Sequence, residues 1–448
     1  MRVDTGDTAW VLVSAALVMF MTPGLALFYG GLVRAKNVLG TVMQSLIALG
    51  VVTVLWVLVG YSLVFGSDHG LLTGGLDYVG LRGVGDAPMA LAPSVPASAF
   101  MVFQMMFAVI TPALITGAFA ERMRFGGYLM FLGLWSLLVY VPVAHWVWGG
   151  GFLGAAGVGA LDFAGGTVVH VNAGAAALAT ALYLGRRRGF GTGALRPHNV
   201  PMVLLGAGIL WFGWFGFNAG SALSAGGLAS SAFVATHLGA AGGMLGWLVP
   251  ERLRHERATT IGAATGAIAG LVAITPASGY VAPLPALLIG LTAGVVCFLA
   301  VELKGRLRLD DSLDVVGVHM VGGIVGALLT GVFASLAVNP AGADGSLAQV
   351  ARQAVAVGVT LAFSFLATMA ILRLVDRTLG LRVSEDVEEE GLDRSIHGES
   401  AYAWSDRTDA SRTLSFDPDA ELAKLREQLV VETTRRTVQA LKQPDPLD

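Results

Sequence analysis

Two short stretches of this 448-residue chain carry the same pair of titratable side chains. Residues 162–174 read DFAGGTVVHVNAG, and residues 311–323 read DSLDVVGVHMVGG. In each stretch an aspartate precedes a histidine by eight positions (Asp162 and His170, Asp311 and His319), and glycines follow. The other residues are mostly small or apolar. The repeat raises the question of what chemistry such a pair performs in apolar surroundings.

The two histidines could act together as a proton-sharing pair. One neutral imidazole ring can donate a hydrogen bond while the other accepts it, and charging both rings is opposed by desolvation and by repulsion. Such a pair suits the escort of a small neutral hydrogen-bonding molecule or the relay of a proton. The structural alternative for either histidine is a buried ring bonded to a backbone carbonyl.

The aspartates have a structural alternative as well. Asp162 and Asp311 each precede an apolar run, where aspartate is a good N-cap that satisfies free backbone amides. The neighbouring Asp310 and Asp314 add to a charged cluster and are predicted to be structural. Asp162 has a second interpretation, because its charge could favour a cation near the start of its helix.

The composition predicts an all-α polytopic membrane protein. The chain is 55% hydrophobic and 13% charged, whereas a soluble domain carries roughly a quarter charged residues. Long apolar runs alternate with short charged clusters; a β-barrel would instead show short segments of alternating polarity. The net charge of −3 indicates neither a nucleic acid nor an acidic partner. The single cysteine, Cys297, excludes an intrachain disulfide.

The apolar runs predict about eleven transmembrane helices by the length that a bilayer requires. They begin near positions 9, 38, 99, 127, 163, 199, 230, 259, 284, 314 and 349. The first is interpreted as a retained span, with a cleaved signal peptide as the alternative. Lys and Arg concentrate in the odd-numbered connections, with Arg82 as the main exception. By the positive-inside rule the N-terminus lies outside and the C-terminus inside.

This topology gives the repeated Asp–His pair a place. One copy opens span five from the outside and the other opens span ten from the inside, so spans 1–5 and 6–10 are predicted to be inverted repeats. Eight residues of helix measure about 12 Å, which puts each histidine near mid-membrane. A histidine at that depth is costly and is a functional candidate. We therefore expect His170 and His319 to meet in the middle.

Aromatic residues cluster near the predicted outer ends of several spans. Tryptophan there is usually a membrane anchor, but an aromatic wall beside a hydroxyl group would also bind a small cation. The segments concerned are AHWVWGGG (Trp146, Trp148), FQMMF (Phe103, Phe107) and WFGWFGFNAGSA (Trp211, Trp214, Phe217, Asn218, Ser221).

Several of these segments together resemble the ammonium transporter family (Amt/Rh), in its Amt branch. The resemblance covers about residues 9–402, and the segments occur in the family's order. They are PGLALFYGGLVRAKN, FAERMRFG, VAHWVWGGG, DFAGGTVVHVNAG, PHNVPMV, GWFGFNAGSA, GAIAGLVAITPASGY and DVVGVHMVGGIVG.

The resemblance implies a homotrimer in the plasma membrane that serves nitrogen uptake, with one conduction path in each subunit. It implies no cofactor, no metal and no catalytic residue. Ammonium would be recruited outside, deprotonated near Asp162, and conducted as ammonia through an apolar pore, which leaves open whether the proton follows. The implied roles are outer recruitment (Trp148, Phe107, Ser221, Asp162), a gate (Phe107, Phe217), the pore histidines (His170, His319) and positions near the path (Trp214, Thr275).

Other functions receive less support from the residues. A passive Rh-like channel for ammonia or carbon dioxide would not need a cation site such as Trp148 and Ser221. An ammonium sensor would be marked by a fused kinase or cyclase domain. An enzyme receives little support, because the sequence contains neither an HExxH nor a GxSxG motif. A proton-coupled transporter of a larger solute usually carries more buried charge.

The chain after residue 380 is predicted to be cytoplasmic. We divide the protein into a transmembrane domain (1–380), a regulatory tail (381–404) and an extension (405–448). An acidic tail is ordinarily solvated. However, EEEGLDRSIHGESAY resembles the family's tail, which implies docking of a PII-type signalling protein. In the extension, Asp417 and Pro418 signal a helix start, and Leu422, Leu425 and Leu429 share one face. We therefore predict one amphipathic helix, bounded by Pro444.

Overall fold

The computed structural model describes residues 2–68, 72–193 and 195–402, together with position 433. The chain divides into two units, Met1–Glu399 and Ser400–Asp448. The amphipathic helix predicted between Asp417 and Pro444 lies outside the described residues, apart from position 433.

The number of membrane helices agrees with the prediction from hydropathy. Within the described residues, ten helices are long and apolar enough to cross a membrane, and a shorter apolar helix, Thr260–Ile274, makes the eleventh. The ten are Thr5–Leu32, Ala35–Phe65, Ala97–Phe119, Phe125–Trp148, Gly166–Leu184, Val200–Gly220, Gly227–His255, Pro283–Arg306, Val316–Phe333 and Leu347–Thr378. The short helix measures only about 22 Å, and its residues from Gly262 onward are almost all buried, so protein covers it on nearly every side.

Some spans contain π-helical turns that divide them into shorter α-helices. The π-helical turns are Trp56–Gly60, Ser136–Tyr140, Gly166–Val171 and Val316–Met320. The α-helices are α1 (Thr5–Leu32), α2 (Val38–Leu55), α3 (Tyr61–Phe65), α4 (Ala97–Phe119), α5 (Phe125–Trp135), α6 (Val141–Trp148), α7 (Asn172–Leu184), α8 (Val200–Gly220), α9 (Gly227–His255), α10 (Thr260–Ile274), α11 (Pro283–Arg306), α12 (Val321–Phe333), α13 (Leu347–Thr378), α14 (Glu385–Glu390) and α15 (Leu392–His397). A small antiparallel hairpin, β1 (Pro88–Met89) and β2 (Ala92–Pro96), lies between α3 and α4.

Glycine allows the helices to approach each other closely. A Cβ atom built on Gly206 of α8 would lie 2.3 Å from the backbone nitrogen of Phe28 in α1. A Cβ on Gly270 of α10 would lie 2.1 Å from the carbonyl oxygen of Gly239 in α9. Helices in a lipid bilayer associate largely by such close van der Waals packing, which explains the glycines at these helix contacts.

One end of the bundle, which we call the basic end, holds a buried ion network. The Glu121 carboxylate accepts hydrogen bonds from Arg34 (2.9 Å), Asn37 (2.8 Å) and Arg187 (2.8 Å). Arg187 also pairs with Asp310 at 2.8 Å. Burial alone would raise the pKa of Glu121, but Arg187 and Arg34 hold that pKa below its ordinary value. The network therefore joins four connections that the sequence places on one face of the membrane.

The described tail packs against the same end. Asp393 of α15 accepts hydrogen bonds from the backbone amides of Leu39 (3.0 Å) and Gly40 (2.8 Å) at the start of α2. Glu388 of α14 accepts from the Arg188 amide at 2.6 Å. Both acidic side chains are buried, so this part of the tail is not a solvated acidic segment. Residues 381–399 belong to the same compact unit as the helices.

Candidate functional site

Asp162 caps the π-helical turn that carries the first histidine. Its two carboxylate oxygens accept hydrogen bonds from four consecutive backbone amides, Gly165 (2.8 Å), Gly166 (2.7 Å), Thr167 (2.8 Å) and Val168 (3.1 Å). Burial raises the pKa of this carboxyl above its ordinary value, although the four amides oppose the rise. The geometry is that of the capping role considered from the sequence.

Asp311 occupies the equivalent place before the second histidine. Its carboxylate accepts hydrogen bonds from the amides of Val315 (3.1 Å) and Val316 (2.7 Å). Burial raises the pKa of Asp311 to about 6, against the opposing charge of Lys304. Each copy of the Asp–His pair therefore begins with a buried aspartate that holds the first amides of a π-helical turn.

The two π-helical turns bring His170 and His319 together. The Nδ1 atoms of the two buried rings lie 3.3 Å apart, and the rings are inclined by 26°. The histidines belong to the turns Gly166–Val171 and Val316–Met320. Such turns in membrane and soluble helices are frequent at functional sites, because the extra residue changes the direction of the side chains.

Two glycines set the distance between the segments that carry His170 and His319, and each glycine contacts the residue after the other segment's histidine. Each histidine is followed four residues later by a glycine. A Cβ on Gly174 would lie 2.5 Å from the Cα of Met320, and a Cβ on Gly323 would lie 3.1 Å from the nitrogen of Val171. The contacting positions run in opposite order on the two segments, so the segments cross antiparallel.

The histidine pair lines a small inner cavity. Its volume is about 20 Å³, and a cavity of 10–15 Å³ or more can hold one water-sized molecule. Trp214 and Phe217 stack near His170 at centroid distances of 5.5 and 6.1 Å. The remaining lining is mostly apolar (Met21, Leu25, Phe28, Tyr29, Ile110, Leu114, Val169, Leu210, Ile268). The Nε2 atom of His170 is buried and has no hydrogen-bond partner among the described residues.

Two phenylalanines separate this cavity from a larger one. The rings of Phe107 and Phe217 lie 4.3 Å apart between centroids, and each side chain is 1% exposed. Phe217 lines the inner cavity, whereas Phe107 lines the larger cavity. A molecule that moves from one cavity to the other must therefore pass between or displace these rings.

The larger cavity, which we call the vestibule, has a volume of about 400 Å³. Trp148, Ser221, Asp162 and Phe107 all contribute to its lining. The Trp148 indole donates to the backbone oxygen of Asp162 at 2.9 Å and meets Phe107 edge to face at 5.8 Å. The Ser221 hydroxyl donates to the Phe217 carbonyl at 2.8 Å, so its oxygen lone pairs stay available as acceptors.

Trp214 and Thr275 form a supporting contact behind the histidines. The Trp214 indole nitrogen donates to the Thr275 hydroxyl at 2.9 Å, and that hydroxyl donates to the Leu271 carbonyl at 2.7 Å. Trp214 lines the inner cavity, but Thr275 lines neither cavity. Thr275 therefore contacts the inner cavity only through its hydrogen bond to Trp214.

The vestibule also contains residues that the sequence did not single out. Gln104, Tyr280 and the exposed Arg352 contribute to its lining. Arg352 comes from α13, and Ala341, Gly342 and Ala343 of the connection before α13 also line the vestibule. No cluster of three or more His, Cys, Asp or Glu side chains that could hold a metal ion occurs in the described part of the chain.

A helical bundle of this hydropathy with two adjoining cavities defines a multi-pass membrane protein with a candidate permeation path. The family model for the Ammonium Transporter Family matches residues 9–402, and the chain belongs to that family.

Individual relatives and solved structures agree with this assignment. An ammonium transporter of Mycobacterium tuberculosis (strain ATCC 25618 / H37Rv) is 51% identical over 435 residues, covering 90% of this chain and 91% of the relative. The crystal structure of Candida albicans Mep2 superposes with a TM-score of 0.81 at 38% identity, covering 86% of this chain and 87% of that one. A sensor Amt protein superposes with a TM-score of 0.80 at 30% identity over 87% and 98% of the two chains.

Proposed function

We propose that this protein takes up ammonium for nitrogen supply through a pore in each subunit of a homotrimer in the plasma membrane. In this proposal the vestibule faces outside and the basic end faces the cytoplasm, as the distribution of Lys and Arg favours. The observation that carries the proposal is the size and lining of the inner cavity, about 20 Å³ beside two touching histidines.

The vestibule recruits the substrate as the ammonium ion. Trp148 and Phe107 offer aromatic faces, and Ser221 offers a hydroxyl oxygen. A cation–π contact contributes about 1–2 kcal/mol where it is partly desolvated, and a hydrogen bond to a charged donor contributes a similar amount. Asp162 supports the site by holding the loop that carries its own carbonyl beside Trp148.

The ion gives its proton to solvent water in the vestibule, near Asp162, before ammonia passes the Phe107–Phe217 gate. Moving an unpaired cation into an apolar cavity costs far more than two such contacts return, tens of kcal/mol in the idealised limit. Ammonia is neutral and small enough for a cavity of about 20 Å³. Potassium has no proton to lose, which gives a physical basis for its exclusion.

The histidine pair suits the passage of ammonia and the relay of the proton. When one Nδ1–H donates to the other Nδ1, the donor ring has a bare Nε2 and the acceptor ring carries Nε2–H. The pair therefore presents one acceptor and one donor. When a proton binds the bare Nε2, the shared proton moves to the second ring, and that ring then releases its own Nε2 proton on the other side. One proton crosses in this way, and the pair never carries more than one positive charge.

Currents from purified protein in liposomes test this proposal. We expect a current after a pulse of ammonium and none after potassium, and we expect His170→Ala and His319→Ala to reduce the current or the selectivity. His237→Ala is the matched control, because that ring is exposed and packs against Trp211 and Phe215 outside the two cavities. Unchanged rate and selectivity in both pore variants would overturn the mechanism.

The same experiment separates the alternative functions. A rapid internal pH rise without current would indicate neutral ammonia and an Rh-like channel. Tight binding of ammonium with neither current nor pH change would indicate a sensor, which the likeness to a solved sensor Amt protein keeps in consideration.

We further propose that a PII-type protein docks at the basic end and closes the path. Support comes from the tail helices. Asp393 accepts a hydrogen bond from the Gly40 amide at the start of α2, and Glu388 accepts one from the Arg188 amide after α7. A pull-down with a cognate PII protein should retain the full chain and lose the chain that lacks residues 383–448. Equal binding to both forms would exclude the tail as the docking element.

A further inference from the structure

The basic end carries a groove that the proposed conduction path does not use. It has a volume of about 400 Å³ and lies between the end of α7 and the connection that follows α11. Its apolar lining comes from both elements (Leu178, Ala181, Leu182, Leu307, Leu309). None of the vestibule or inner-cavity residues contributes to it.

Two arginines lie beside this apolar lining. The Nε atom of Arg186 donates to the backbone oxygen of Arg308 at 3.0 Å, and the Arg186 guanidinium carbon lies 5.9 Å from the ring centroid of Phe190. Both arginines are exposed. Across the described ranges of the chain, no carboxylate forms an ion pair with either one. The groove therefore carries positive charge that the fold leaves unneutralised.

The acidic residue of the groove does not cancel this charge. Asp310 is only 2% exposed. Its carboxylate is occupied by Arg187, which donates from its backbone amide (2.7 Å), its Nε (3.0 Å) and its Nη2 (2.8 Å). A ligand in the groove therefore meets Arg186 and Arg308 and not a free carboxylate.

The backbone at Arg308 is unusual for an arginine. Its φ angle is +53°, in the left-handed region that favours glycine because a Cβ atom is crowded there. The residue ends the turn after α11, where its amide donates to the Gly305 carbonyl at 3.2 Å. Strain of this kind persists where the surroundings require it and is frequent at binding sites.

The position of the groove just beyond the end of a span is the one expected for contact with a lipid headgroup. Arg186 is two residues beyond the end of the Gly166–Leu184 span, which is at most about 7 Å along the chain. Leu182 is 55% exposed and Leu307 is 67% exposed, so the apolar part of the groove opens to the exterior of the chain. An amphiphile with a negative head and an apolar chain matches both parts.

We propose that this groove binds an anionic phospholipid. The headgroup phosphate accepts hydrogen bonds from the Arg186 and Arg308 guanidinium groups, whose planar forks match phosphate oxygens. One acyl chain lies along Leu178, Leu182 and Leu307. Basic pockets at the cytoplasmic end of membrane helices have the chemistry that selects such lipids.

Lipid titration of the full chain in an uncharged detergent tests this site. Bound phosphatidylglycerol and phosphatidylcholine with identical acyl chains are counted by native mass spectrometry. We expect the chain to bind phosphatidylglycerol more tightly, and we expect R186Q/R308Q to lose roughly tenfold or more of that affinity. Binding of phosphatidylcholine should change little. R186K/R308K, which keeps both charges, should retain most of the preference and shows that the positions tolerate replacement.

R254Q/R257Q is the matched control, since it removes two exposed arginines, one in the last turn of α9 and one just after it, that line no part of the groove. Retention of the phosphatidylglycerol preference in this control, with its loss in R186Q/R308Q, supports the site. An equal loss in both pairs would show that diffuse charge is responsible and would overturn it. The absence of any lipid preference would also overturn the site. Displacement of the lipid by millimolar inorganic phosphate would overturn it as well, because the groove would then be a site for the free anion.

Discussion

Replacement of Gly174 by alanine should separate the two histidines without altering either one. Gly174 lies one helical turn after His170, and its missing side chain is what allows the backbone of Met320 to approach. Because Met320 directly follows His319, any outward movement at Met320 is transmitted to the second imidazole ring. The substitution therefore perturbs the distance within the pair and leaves its chemistry intact.

The expected displacement follows from the contact distances. The alanine Cβ would lie 2.5 Å from the Met320 Cα, whereas ordinary contact begins at 3.4 Å, so the helices must separate by about 0.9 Å. Added to the 3.3 Å between the Nδ1 atoms, this gives roughly 4 Å, beyond hydrogen-bonding distance. Overpacking of this kind costs about 1–3 kcal/mol of stability. Loss of one hydrogen bond of about 1 kcal/mol corresponds to a roughly five- to tenfold slower proton step.

Ammonium-driven current and thermal unfolding in detergent measure the two effects separately. We expect Gly174→Ala to lower the current roughly five- to tenfold while the protein remains folded at the assay temperature. Gly323→Ala should have a milder effect, because its Cβ would lie 3.0 Å from the nearest atoms and a smaller shift relieves it. Gly208→Ala is the neutral control, since no atom lies within 4 Å of its Cβ position.

The reasoning fails if Gly174→Ala conducts ammonium at the normal rate, because the pair would then not need its contact. It also fails if Gly208→Ala reduces the current as much as Gly174→Ala does. In that case the loss would reflect a general response of glycine positions in helices and not the separation of the two rings.

Three further substitutions probe charges around the path. Arg352→Gln removes a positive charge from the vestibule. At low ionic strength the half-saturating ammonium concentration for the current should fall roughly two- to threefold, and at high salt it should equal that of the unmodified protein. Burial raises the pKa of the folded-state Asp311 carboxyl to about 6. The protonated carboxyl therefore stabilises the fold fully below its unfolded pKa of about 4, and this stabilisation is lost as the pH rises through 6. Asp311→Asn should reduce the fall in Tm between pH 4 and pH 7. Glu121→Gln leaves Arg34 and Arg187 without their shared carboxylate and should lower the unfolding free energy by about 3–5 kcal/mol, measured by thermal unfolding.

The sequence predicts the spans well because hydropathy responds directly to the bilayer. The two Asp–His stretches could be placed at opposite helix starts, since capping and spacing are local properties. The π-helical turns could not be predicted, because one extra residue in a turn leaves the hydropathy pattern unchanged. Arg352 was missed because it reaches the vestibule from α13 only after the chain has folded. The buried position of Glu388 was missed for the same reason, since an acidic segment is ordinarily solvated.

The inner cavity of about 20 Å³ has a consequence for kinetics. A space for one small molecule permits no queue beside the histidines, so each occupant must leave before the next can enter. Flux should therefore saturate when the residence time of one occupant becomes limiting, even without a conformational change of the helices. Substrate supplied from both sides should compete for the same vacancy. The ratio of opposing tracer fluxes should then follow the concentration ratio to the first power, whereas a file of several molecules would give a steeper dependence.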